Sequence, residues 1–133
     1  MQLSCQCKHI NFQVPFDAPK SLFICHCSEC KKVGGGLLST TATFPYFDFP
    51  QQGLKKYTWT SDSGKEKNGY FCEQCGNRIL HYTPGNEMVR IKAGVLDEVN
   101  KLDWKSAEHL WSCREIELSK DMKKWDKNAD GPR

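Results

Sequence analysis

Seven of the eight cysteines in this 133-residue chain fall into three tight groups. Cys5-x-Cys7 lies near the start, Cys25-x-Cys27-x2-Cys30 follows, and Cys72-x2-Cys75-Gly76 lies near the middle. Pairs this close suit metal knuckles better than disulfides. Eight cysteines in 133 residues is about 6%, below the roughly 8–10% that marks a disulfide scaffold. Zinc takes four tetrahedral protein ligands in a structural site, and three plus an exchangeable one in a catalytic site. Two plus two gives Cys5, Cys7, Cys72 and Cys75, a closed set of four thiolates. The remaining Cys25, Cys27 and Cys30 make a three-thiolate set with one position open. Two other partitions fit the spacing. One joins Cys25, Cys27 or Cys30 to Cys72 and Cys75 and leaves Cys5 and Cys7 free. The other recruits Cys113 or a histidine to close the triad. By itself Cys113 reads as a buried apolar residue or an idle thiol.

An open all-sulfur site favours particular chemistry. Three thiolates around a zinc dication leave a net charge of −1, which blunts the metal as a Lewis acid toward water. A soft thiolate from a substrate suits the fourth position. Coordination lowers that thiol's pKa, and Lys31 and Lys32 nearby would offset the excess charge. Gly34, Gly35 and Gly36 either let a ligand approach the backbone or form a plain loop. Glu29 reads as a proton carrier or an exposed charge. His26, between two ligands in an extended segment, should point away from the metal. His9 and His81 read as ordinary strand residues. His109 is a weak catalytic candidate and equally a core histidine. There is no Ser-His-Asp arrangement and no P-loop.

The elements that must position these residues are short strands. Ile10, Phe12 and Val14 alternate with polar residues, as in a half-buried strand. Further strand signals cover Ser21–Cys25, Leu37–Phe44, Lys56–Thr60, Ile79–Tyr82, Met88–Ala93 and Ser112–Leu118. Gly53, Ser63-Gly64, Asn68-Gly69 and Pro84-Gly85-Asn86 read as turns, and Ser61–Gly64 predicts a hairpin. A turn or two of helix follows Cys30, and Ser119–Trp125 reads as a short helix. Asp97–Ala107 reads as a long ordered loop. The fold class is mainly antiparallel β with little helix. One domain over 1–126 and a frayed tail over 127–133 are expected.

Composition sets outer limits. Hydrophobic residues make up 38% and charged residues 26%, which fits a globular chain and not a disordered one. No apolar run approaches the roughly 20 residues that span a membrane. The opening Met1–Cys5 lacks the pattern of a secretory signal, so the cytosol is the expected compartment. The net charge of +3 collects at Lys55-Lys56, Lys65–Lys67 and Lys120–Lys127. It reads as a solvated surface; no aromatic-basic pattern points to nucleic acid. Oligomeric state is not written in these features.

The clusters also resemble a known family. Cys25-His26-Cys27-Ser28-Glu29-Cys30-Lys31-Lys32-Val33-Gly34-Gly35 resembles the CHCxxCRKxxG signature of the glutathione-dependent formaldehyde-activating enzymes, a family that includes centromere protein V. Phe71–Gly76 resembles its FCxxCG knuckle, Ser4–Cys7 its opening GxCxCG, and Ala93–Asp97 its GxLD segment. His109 aligns with the histidine that follows. Lys8-His9 departs from the usual glycine after the second cysteine, so the first knuckle is expected to turn differently. Lys31-Lys32 stands where Arg-Lys is common, the glycines at 34–36 are unusually many, and Trp111–Arg114 departs from the pattern. The resemblance implies an Mss4-like fold of small sheets stapled by zinc. It implies a structural zinc on Cys5, Cys7, Cys72 and Cys75 and a labile catalytic zinc on Cys25, Cys27 and Cys30. It implies a carbon–sulfur lyase that joins glutathione and formaldehyde. The expected partner is therefore a small molecule, glutathione or another thiol adduct. Two other functions are compatible with the residues: a same-fold zinc enzyme acting on a specialised metabolite, and a non-catalytic zinc-stabilised binding module.

Overall fold

A computed structural model describes residues 1–118 of the chain. The helix expected over 119–125, the tail over 127–133 and the domain limit at 126 lie outside the described residues. Two strands, β1 (Gln2–Ser4) and β2 (Asn11–Gln13), form an antiparallel ribbon. A larger sheet holds β3 (Ser21–Cys25), β4 (Ser39–Pro45), β5 (Leu54–Thr60), β6 (Glu66–Cys72), β7 (Arg78–His81), β8 (Met88–Lys92) and β9 (Glu108–Leu110). Its order is β5-β6-β7-β8-β4-β3-β9. Neighbours run antiparallel except β3 and β9, which are parallel. Among the described residues the one α-helix, α1 (Ser28–Gly34), follows β3 directly. The mainly β class expected from the strand signals is what the chain adopts, gathered into one large sheet and a ribbon.

Pleating sorts each strand's residues onto two faces. Leu22, Ala42, Phe44, Leu80, Val89, Ile91 and Tyr70 meet Leu3, Val14 and Phe49 on the core face. Each large apolar side chain buried there stabilises the fold by about 1.5–3 kcal/mol. The register places Cys25 beside Ser39, Thr41 beside Lys92 and Phe71 beside Arg78 on the opposite face. That second face carries the chemistry.

The structure corrects two element readings and details a third. Asn68-Gly69 is not a turn but the buried middle of β6. Thr58 Oγ1 donates to Asn68 Oδ1 at 2.6 Å, and a Cβ at Gly69 would overlap the Arg78 guanidinium. Close approach of the Arg78 side chain, not backbone freedom, explains that glycine. Ser112–Leu118 is not a strand; Ser112–Arg114 forms a 3₁₀ turn, and the strand lies earlier, at β9. The ordered stretch from Asp97 to Ala107 contains 3₁₀ turns at Val99–Lys101 and Trp104–Ser106.

Candidate metal centres and the cleft beside them

The first centre gathers Cys5, Cys7, Cys72 and Cys75, whose sulfurs all lie within 4.8 Å of one another. Cys7 Sγ is 3.5 Å from Cys5 Sγ and 3.7 Å from Cys72 Sγ. Four ligands about 2.3 Å from a tetrahedral zinc sit about 3.8 Å apart, so this donor set fits the ion. Backbone turns aim the sulfurs. Lys8 donates its amide to Cys5 O at 2.9 Å, and Gly76 donates to Cys72 O at 2.9 Å. The Ile10 amide donates to Cys5 Sγ at 3.2 Å. Gly76 has φ 71° and Lys8 has φ 61°. The first knuckle therefore makes the same left-handed turn as the second, and the absence of glycine at position 8 did not change it.

The amides around the knuckles tune the thiols. The Asn77 amide favours the Cys75 thiolate and, with the amide and sulfur of Cys7, lowers that thiol to about 6. At Cys7 the His9 amide also favours the thiolate. Desolvation and contact with three neighbouring sulfurs outweigh it and raise the thiol to about 12. Four sulfurs this close cannot all be anionic without a cation among them.

The second centre gathers Cys25, Cys27 and Cys30, again within 4.8 Å. Cys25 ends β3. Cys27 caps α1 and accepts the Cys30 amide at 3.3 Å. Cys30 lies in the first turn. No fourth histidine, cysteine or carboxylate joins this group among the described residues. Burial works against the Cys27 thiolate, but the amides of Cys30 and Glu29 and contact with the other two sulfurs lower its pKa overall. Burial raises Cys30 to about 12, opposed by the charge of Lys92.

Lys92 is the residue the sequence reading missed. It is 8% exposed and donates to Ser39 Oγ at 2.9 Å. Burial disfavours its charge, while the sulfurs of Cys30, Cys25 and Cys27 favour it. The lysines chosen from sequence do other work. Lys31 Nζ donates to Arg114 O at 2.7 Å, and Lys32 pairs with Glu29 at 2.8 Å. Glu29 is thus an exposed partner of Lys32 in this structure. Of the glycines, Gly35 caps the helix at φ 62°, and Gly34 lines a cleft described below.

His26 does point away from the triad. It is 2% exposed, and its Nε2 lies 3.1 Å from His109 Nδ1. The ring centres are 5.2 Å apart. The difference between those lengths is close to two imidazole radii, so the nitrogens face each other in line. With Glu115 they form a third group whose candidate ligand atoms all lie within 4.8 Å of one another, apart from both cysteine centres. Glu115 Oε2 stands 4.0 Å from His109 Nδ1. Pairing of β3 with β9 brings these histidines together. Cys113 is exposed and lies in neither cysteine group.

A cleft of about 240 Å³ runs between α1 and the sheet, lined by Val33, Gly34, Ser39, Arg78, Lys92 and Gly94 among others. A larger cavity of about 810 Å³, between the start of β1 and the 3₁₀ turns, contains no cysteine. No cysteine lines the smaller one either, but it reaches the triad through Ser39, the strand partner of Cys25, and Lys92, whose charge the three sulfurs favour.

Residues 1–114 match the profile of a family described as glutathione-dependent formaldehyde-activating enzyme. No curated protein matches the sequence. A crystal structure of a Rhodobacter sphaeroides protein shares the fold, with a TM-score of 0.61 and 22% identity, over 82% of this chain and 99% of that one. No helix among the described residues is long and apolar enough to cross a membrane.

Proposed function

The chain belongs to the glutathione-dependent formaldehyde-activating enzyme family, and on that premise we propose that it is a zinc enzyme of carbon–sulfur chemistry. Its substrate is the adduct of a thiol, glutathione or a relative, with a small aldehyde such as formaldehyde. The observation that carries this reading is the contrast in ligand count: four sulfurs at one centre and three at the other. We assign Cys5, Cys7, Cys72 and Cys75 to a structural zinc and Cys25, Cys27 and Cys30 to a catalytic one.

A zinc ion on the triad would supply a fourth position that holds a substrate sulfur as thiolate. The protein's own groups do the rest. The Cys30 amide fixes the Cys27 sulfur at the head of α1. Lys92 places a cation beside the three sulfurs and offsets their charge. The cleft orients the thiol's remaining atoms, which turns a bimolecular encounter into a positioned one. In the addition a sulfur–carbon bond forms and the carbonyl π bond breaks. The proton released from the thiol ends on the former carbonyl oxygen, giving a hydroxymethyl thioether. The lyase direction is the reverse.

The test is direct. Purified protein should hold two zincs per chain, and it should consume formaldehyde only with a thiol present. Glutathione should shift the visible spectrum of the cobalt-substituted protein. A spectrum indifferent to glutathione, with two inert metals, would instead mark a non-catalytic binding module. Turnover without any thiol would mark a different substrate class.

A further inference from the structure

Two cations line the cleft beside the triad, and neither has a carboxylate partner among the described residues. Lys92 faces the sulfurs. Arg78 sits one strand over, on β7, with its guanidinium 5.9 Å from the Trp59 and Phe71 ring centres. One of its nitrogens, Nη1, donates to His81 Nε2 at 3.2 Å. That is its sole side-chain hydrogen bond among the described residues, so the rest of the fork is unused.

The surroundings deepen the imbalance. Arg90 and Lys67 lie on the same face as Arg78 and Lys92, and all four bear on His81 with positive charge. The salt bridges of the described residues engage Glu29, Glu73 and Glu115, on other surfaces. Burial disfavours the charge on both Arg78 and Lys92. The triad's sulfurs answer Lys92. Tyr57 and the Trp59 and Phe71 rings favour the Arg78 charge, but no carboxylate among the described residues pairs with it. Partly buried unpaired guanidinium is costly, and a planar fork suits a carboxylate. Gly69 is what admits the guanidinium, since a side chain there would occupy its place.

We propose that Arg78 anchors a carboxylate of the thiol substrate in this cleft, so that the site selects thiols bearing an acid group. This rests on the reading of the triad as an open metal site. A substrate would then be held at two points, its sulfur beside Cys25, Cys27 and Cys30 and its carboxylate on the Arg78 fork. Lys92 lies between the two points.

The experiment titrates the cobalt-substituted protein with 3-mercaptopropionate and with 2-mercaptoethanol, following the thiolate-to-cobalt absorption. The acid should bind about tenfold or more tightly, in keeping with a charge-assisted hydrogen bond. Arg78→Gln should remove the preference while leaving cobalt content and the circular dichroism spectrum unchanged. Arg78→Lys should retain part of it. Equal binding of both thiols to the unaltered protein overturns the anchor and leaves the open site standing; this arm needs no variant and does not depend on Arg78→Gln folding. A preference that survives in a folded Arg78→Gln protein also overturns it. A spectrum that answers neither thiol overturns the anchor and the open site together.

Discussion

At the four-cysteine centre the ligands come from two tight backbone turns, and amides supply the positive character around the sulfurs. At the triad the ligands come from a strand end and the first turn of a helix, and a buried lysine adds its charge to the Cys30 and Glu29 amides. The first arrangement is filled by its own four side chains. The second gathers three, and Lys92, which the three sulfurs favour, lines a cleft together with Arg78. The same residue type thus serves two ends. What separates them is whether a side-chain charge joins the backbone amides at the sulfurs, and whether a fourth ligand completes the group.

The sharpest way to break this comparison is to remove one sulfur from each centre. Cys72→Ser should abolish cooperative folding, because structural zinc contributes folding free energy outright. Cys27→Ser should stay folded, lose one metal equivalent and lose turnover by about a hundredfold or more. Metal analysis and thermal melts decide the matter: equal unfolding in both would make the triad structural as well. Next in size is Lys92→Met. It should weaken metal retention at the triad by about 10–100-fold against a competing chelator, with the four-cysteine centre unchanged. Lys92→Arg should recover part of that loss.

A smaller effect comes from His81, which abuts the cleft through Arg78. Desolvation, and then the charges of Lys92, Arg78, Arg90 and Lys67, lower its folded pKa from 6.5 to about 2. Between those values the unfolded chain binds a proton that the folded chain refuses. The stability from the neutral ring is therefore complete above pH 6.5 and declines as pH falls toward 2. Urea midpoints measured downward from about pH 7 should fall, and His81→Gln, which keeps an acceptor for Arg78, should flatten that slope. Lys8→Gly is the mildest. A lysine in the left-handed region is strained, so glycine should stabilise the first knuckle by less than about 1 kcal/mol, after its greater freedom in the unfolded chain. A calorimetric Tm that falls instead would show that the Lys8 side chain has a role of its own.

Much of this was legible because it is local. Cysteine spacing reports ligand groups directly, and Ser61–Gly64 reports the β5–β6 hairpin, whose ends lie within a few residues. What escaped was made by strand order. Lys92 reaches the triad because β8 lies beside β4 and β4 beside β3, which no local pattern states. His26 meets His109 across 83 residues through the parallel β3–β9 pair. Asn68-Gly69 read as a turn because its residue types favour one, whereas its cause is an arginine from the neighbouring strand. The lysines nearest the triad in sequence suggest its counter-charge, yet α1 turns them toward Arg114 and Glu29. A helix separates in space what the chain places side by side.

The 65-residue span between Cys7 and Cys72 has a meaning in time. As the chain leaves the ribosome, Cys25, Cys27 and Cys30 emerge close together and need no distant partner to meet. Cys5 and Cys7 emerge first, yet must wait for Cys72 and Cys75, with β3, α1, β4 and β5 all made in between. The three-cysteine group is therefore the earlier one able to capture a metal, and the four-cysteine group is completed after it.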